Sequence, residues 1–153
     1  MTNTWPELSE NLAQAHQAFI DLAHQLDVTL RTQAGVCGAW SPQDIVAHLA
    51  GWDAEAVRGF RLFAAGKGAA YDIGFDVDTF NARSVGTRQH LPWKAVIDEL
   101  RASQRELQDL IAVVHSEGLN PDGGFGRWLV GRRQDYEQHT GQLQAWVSID
   151  NTR

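Results

Sequence analysis

Apolar residues recur every three or four positions along almost the whole chain, and that period leaves little room for anything but helices. Leu8, Leu12, Phe19, Leu22, Leu26 and Leu30 form one such stripe, which predicts a first helix from about Pro6 to Thr32. The run from Ala34 to Gly38 ends it, since its two glycines favour helix termination and tight turns. A second helix opens at Ser41. Serine can cap, Pro42 suits the first helical position, and Asp44 lies three residues beyond the cap. Its inward stripe is Ile45, His48, Leu49, Trp52, Ala56, Phe60 and Phe63, closed by Gly66, Lys67 and Gly68. Between Ala69 and His90 the pattern breaks: residues 71–78 read as loop and Thr79 to Gly86 as a short helix. Pro92 opens a third long helix to about His115, with Val96, Leu100, Leu107, Leu110, Ile111 and Val114 on one side. The turn cluster from Asn120 to Gly124 precedes a fourth, roughly Phe125 to Ser148, with Trp128, Asp135, His139, Leu143 and Trp146 near one face.

Four amphipathic helices without a convincing strand predict an all-α four-helix bundle, a single domain over residues 1–153. Short connections make the first and second helices antiparallel neighbours, and likewise the third and fourth. The longer crossover between the second and third permits a parallel pair, hence an up-down-down-up order.

Bulk properties exclude several classes. The formal net charge is −6 and no basic cluster exceeds Arg132-Arg133, so the chain lacks the phosphate-neutralising stripe that nucleic-acid binding needs. No apolar run approaches the ~20 residues of a membrane span, and residues 1–10 lack a secretory pattern, so a cytoplasmic protein is expected. Cys37 is the only cysteine, which rules out an internal disulfide and a cysteine-rich zinc site. Six tryptophans supply large apolar anchors for a core, a pocket wall or a dimer interface.

The chemistry centres on three residues. Asp135 and His139 are spaced i, i+4, so both leave one face of the fourth helix. His48 lies on the inward stripe of the second. If these faces meet, two imidazoles and a carboxylate converge, a set that suits a divalent metal with open positions. A carboxylate on an apolar face needs compensation. Four kinds are open from the residues alone: a metal ion, an Asp135–His139 hydrogen bond, a salt bridge from Arg132 at i−3, or solvent exposure of the face. A lone histidine such as His48 is more often a core residue bonded to a carbonyl. His16 is inward on the first helix, while His24, His90 and His115 are peripheral. Tyr136 and Glu137 point off the ligand face. No nucleophile elbow, phosphate loop or dinucleotide fingerprint is present, and no catalytic residue is assigned.

The segment Ala39-Trp40-Ser41-Pro42-Gln43-Asp44-Ile45-Val46-Ala47-His48-Leu49-Ala50-Gly51-Trp52 resembles the W-S-x-x-D-x-x-A-H-L-x-x-W signature of the DinB/YfiT-like superfamily. Residues 78–82 and the following helix resemble the middle of mycothiol-dependent maleylpyruvate isomerase-like and ClbS/DfsB-like members. The segment from Gln134 to His139 falls where the family carries its last two metal ligands. The resemblance implies an up-down-down-up bundle, a homodimer, and a divalent metal (Zn, Ni, Fe or Mn) held by His48, Asp135 and His139. Asp135 stands where the family usually has histidine or glutamate, and it is one methylene shorter than the latter. The implied function is a metal-dependent enzyme acting on a small-molecule substrate, a transferase or isomerase using a low-molecular-weight thiol, or a hydrolase. The alternatives are a non-catalytic, resistance-type binding protein and a structural dimer with a degenerate site. Trp52, Tyr71, Phe80 and Trp128 are expected to line an apolar pocket, by adjacency.

Overall fold

The computed structural model describes residues 3–150, all of whose regular structure is helical. The order is α1 (Trp5–His24), α2 (Pro42–Ala64), α3 (Val77–Gly86), α4 (Trp93–Ser116) and α5 (Gly124–Asp150). Short 3₁₀ turns at Val28–Leu30 and Gly68–Ala70 follow α1 and α2. α1 and α2 begin where their side-chain caps are. Thr4 and Glu7 close a capping box on α1, and Ser41 and Asp44 close another on α2, each followed by proline in the first turn.

Two expectations about helix bounds change. The first helix ends at His24, not Thr32. Asp27 explains this: its Oδ1 accepts from both the backbone amide and the hydroxyl of Thr29, offering the chain a local alternative to the helical ladder. The crossover also carries a fuller helix than expected, α3, which starts at Val77 because Asp76 caps it through Thr79 N.

The helices form a bundle. α2 packs most extensively on α4, and α1 on α5; α1 also meets α4, and α2 meets α3 and α5. The helices joined by short connections, α1 with α2 and α4 with α5, are not the packing neighbours expected of them, because each connection crosses the bundle instead of turning back along its own helix. Leu12, Phe19, Ile20, Ile45, Leu49, Phe60, Leu100, Leu107, Ile111, Leu129 and Leu143 fill the centre, each with essentially no exposed surface. No helix among the described residues is long and apolar enough to cross a membrane.

The turn from α4 into α5 is tightly made. A Cβ placed on Gly126 would lie 1.7 Å from the carbonyl oxygen of Pro121, a backbone atom with little freedom to move. Helix propensity alone would favour Gly126→Ala by ~1 kcal/mol, but overpacking costs ~1–3 kcal/mol or more. We therefore expect net destabilisation, read as a lower urea midpoint; a neutral or stabilised variant would show that this turn yields.

Candidate metal centre

His48 sits in the second turn of α2, nearly fully buried, beneath the tilted ring of Trp40 at 4.9 Å. A tight turn sets that tryptophan in place. The amides of Gly35 and Val36 donate to Trp40 O, and Gly35 and Gly38 take positive φ values of 114° and 58° that favour glycine. From α5, Asp135 and His139 reach the same point. His48 Nε2 lies 3.1 Å from Asp135 Oδ2, and His139 Nε2 lies 3.1 Å from Asp135 Oδ1. The two imidazole rings meet edge-on at 5.0 Å. One donor atom from each of the three residues falls within 4.8 Å of the others, forming a His-His-Asp group able to hold a metal ion.

Behind this group lies a buried charge network. Arg132 gives Nη1 to Asp135 Oδ2 at 2.6 Å, and its Nε and Nη2 both lie 2.9 Å from Asp53 Oδ1 on α2. The Tyr136 hydroxyl donates to Asp53 Oδ2, and Gln104 Nε2 donates to the same oxygen at 3.2 Å. His16 Nδ1 lies 3.0 Å from the Tyr136 oxygen. Tyr136 has a single proton and gives it to Asp53, so His16 must be the donor in that bond. Asp53 is wholly buried and Arg132 is 3% exposed. Burial alone would raise the Asp135 carboxyl. Hydrogen bonds from His139 and His48, together with the Arg132 charge, outweigh that and hold it far below the usual carboxylate range.

Two of the ordinary compensations for Asp135 are therefore present: the His139 contact and the Arg132 ion pair. They do not complete the accounts. Arg132 is a single positive charge between two carboxylates, which leaves the Asp53–Arg132–Asp135 set at a net −1 beside two imidazoles. His139 Nδ1 lies 2.8 Å from the Gln142 side-chain amide. His48 Nδ1 is buried with no hydrogen-bond partner among the described residues. A divalent cation among two imidazole nitrogens and a carboxylate oxygen answers the excess negative charge. The donor set fits zinc, nickel, iron or manganese with positions left open.

A cavity of about 430 Å³ opens onto the group, lined by His48, Trp52, Asn81, Trp128, Arg132 and Asp135 among others. Trp52 Nε1 donates to Asn81 Oδ1 at 2.6 Å. Phe80 lies behind Trp52, with ring centres 4.3 Å apart, and Tyr71 lies behind Trp128 at 4.9 Å. Both therefore back the tryptophans that face the cavity. Burial and the Glu55 carboxylate push the Tyr71 hydroxyl well above its ordinary range, so it stays protonated. Asp53 and Tyr136 are wholly buried members of the centre that apolar periodicity does not mark. The signal existed: Leu49, Asp53, Ala56 and Phe60 continue one helical stripe, and a carboxylate on such a stripe requires a buried partner.

The network makes stability depend on pH. Burial lowers His16 from 6.5 to about 4; Asp53 opposes this shift and Arg101 adds to it. The unfolded chain therefore takes up the His16 proton first. Stability from this group is complete above pH 6.5 and falls as the pH drops toward 4, by ~3 kcal/mol in all. Asp135, shifted down, adds its own loss only below about pH 4. Urea midpoints between pH 7 and 4 should fall steeply in wild type and less in His16→Phe. Parallel curves would show that His16 is not the group responsible.

No family model matches the chain, and no curated protein matches it in sequence. Two solved structures share its fold. One is an uncharacterised protein from Escherichia coli UTI89, 18% identical, with a TM-score of 0.78 over 97% of this chain and 95% of that one. The other is DfsB, described as a Sibling Lethal Factor Precursor, 15% identical, with a TM-score of 0.79 over 98% of both chains. At such identities the likeness establishes the helical-bundle fold and nothing about family or activity.

Proposed function

We propose that this chain binds one divalent cation through His48, Asp135 and His139 and uses it on a small molecule held in the adjoining cavity. The reaction class is hydrolysis, or transfer or isomerisation assisted by a low-molecular-weight thiol. The observation that carries the proposal is the convergence of one ligand atom each from His48, Asp135 and His139 within 4.8 Å at the mouth of that cavity, beside a carboxylate set with net charge −1. Such a cation lowers the pKa of a bound thiol or water and so supplies a nucleophile near neutral pH.

The protein's own groups do the rest. Arg132 and Asp53 fix the Asp135 carboxylate, and Gln142 holds the His139 ring through Nδ1. Trp52 and Trp128 give the substrate apolar walls, while Asn81, Gln134 and Gln138 offer hydrogen bonds at the cavity edge. The up-down-down-up order, membership of the DinB/YfiT-like superfamily and a homodimeric state belong to the same proposal. The α1–α5 and α2–α4 pairing is compatible with that order.

The Arg132–Asp135 ion pair favours a second reading, a small-molecule binding protein that works without metal. One experiment separates the two. Protein purified without a histidine tag and reconstituted with Zn²⁺ or Ni²⁺ should retain about one equivalent of metal after dialysis, and His48→Ala about a tenth of that or less, if an imidazole ligand is worth ~10-fold or more in affinity. Equal, negligible metal in both would defeat the metal reading.

A further inference from the structure

On the opposite side of the buried network, a second cavity of about 560 Å³ lies between α1 and α4, within the size range of small-molecule sites. His16, Gln104 and Gln108 face it, and Arg101, Arg105 and Asp109 stand at its rim. His16 is 7% exposed, and its Nδ1 is committed to the fully buried Tyr136. The ring edge that meets the cavity is therefore the one bearing Nε2, an acceptor with its lone pair free. Gln104 and Gln108 are engaged with Asp53, Ser9 and each other, so they fix the floor. Arg105 is exposed and in no ion pair among the described residues. The polar contact of Arg101 is with His24 Nε2 at 3.4 Å. Asp98 also lies within electrostatic reach of both guanidinium groups but is paired with Lys94, so three cations stand against two carboxylates and leave this edge net positive on a chain whose net charge is −6.

We propose that this cavity is a second ligand site, for a small anion that also carries a hydroxyl donor, with monohydrogen phosphate as its simplest form. The anion's hydroxyl donates to His16 Nε2, and its remaining oxygens accept from Arg101 and Arg105. The lowered basicity of His16 keeps the imidazole an acceptor at neutral pH. This pairing distinguishes phosphate from sulfate. The two anions have the same shape and charge near neutrality, but sulfate has no proton to give, so it would set an acceptor against the His16 lone pair.

The test is calorimetric titration of metal-free protein at pH 7 with inorganic phosphate and, at equal ionic strength, with sulfate. Wild type should bind phosphate saturably, with a Kd of about 1 mM or tighter, and sulfate at least about tenfold more weakly. Arg105→Glu alters an exposed side chain and should weaken phosphate about tenfold or more with an unchanged urea midpoint. His48→Ala, at the metal group, should bind phosphate as wild type does, so the result stands apart from the metal reading. The proposal is overturned by the absence of saturable phosphate binding in wild type, by sulfate binding as tightly, by an unaffected Arg105→Glu, or by loss of binding in His48→Ala.

Discussion

Asp53→Ala should be the most destabilising single substitution among the polar residues of this bundle, costing about 3–5 kcal/mol. The carboxylate is wholly buried and accepts from Arg132, Gln104 and Tyr136. Removing it strands a guanidinium that is 3% exposed, leaves the Tyr136 hydroxyl without an acceptor and frees one donor of Gln104. For a chain of 153 residues this corresponds to a fall in Tm of roughly 10 °C. The nature of the loss can be checked by pairing the change with Arg132→Met. If the cost is mainly that of a stranded charge, the double variant should be clearly more stable than the sum of the two single effects predicts. Additive effects, or a loss below about 1 kcal/mol for Asp53→Ala, would show that the buried pair is not what organises the centre of the molecule.

The second large effect concerns metal. A cation that binds only the folded chain stabilises it by mass action, and at a free concentration of a hundred times the Kd the gain is about 2.7 kcal/mol. Thermal melts in excess Zn²⁺ or Ni²⁺ should therefore rise by several degrees over melts with a chelator. Asp135→Asn should abolish most of that rise. The amide keeps the shape of the side chain and still accepts from Arg132, but it removes the charge that draws the cation. The sign of its own stability effect is informative as well. Arg132 keeps Asp53, so Asp135→Asn should cost far less than Asp53→Ala in the absence of metal. A melt indifferent to metal in wild type would support the metal-free reading.

Much of this was legible in the residues. The capping box from Ser41 to Asp44, with Pro42 in the first turn, marks the start of α2, and the structure begins that helix there. The i, i+4 spacing of Asp135 and His139 places them on one face, and the bundle brings His48 to that face. The end of α1 was not legible, because Asp27 diverts the backbone through a local hydrogen bond that no apolar period records. The inward stripe of α5 was only half legible. Its fully buried members are Leu129, Arg132, Tyr136, His139 and Leu143, so a guanidinium and a phenol occupy positions where periodicity looks for apolar side chains. Arg132 was visible as a partner for Asp135 at i−3, but not as the bridge to Asp53, seventy-nine positions away. Such a pairing depends on which helices pack together, and a single sequence encodes that only through shape.

The claim beneath the functional reading is that two imidazoles and one carboxylate grip a single cation. Crystals of zinc-loaded protein measured across the zinc absorption edge test it directly. One anomalous peak is expected about 2.1 Å from His48 Nε2, from His139 Nε2 and from an Asp135 oxygen. A map without density there, with Arg132 and both imidazoles still closed on Asp135, would contradict the account.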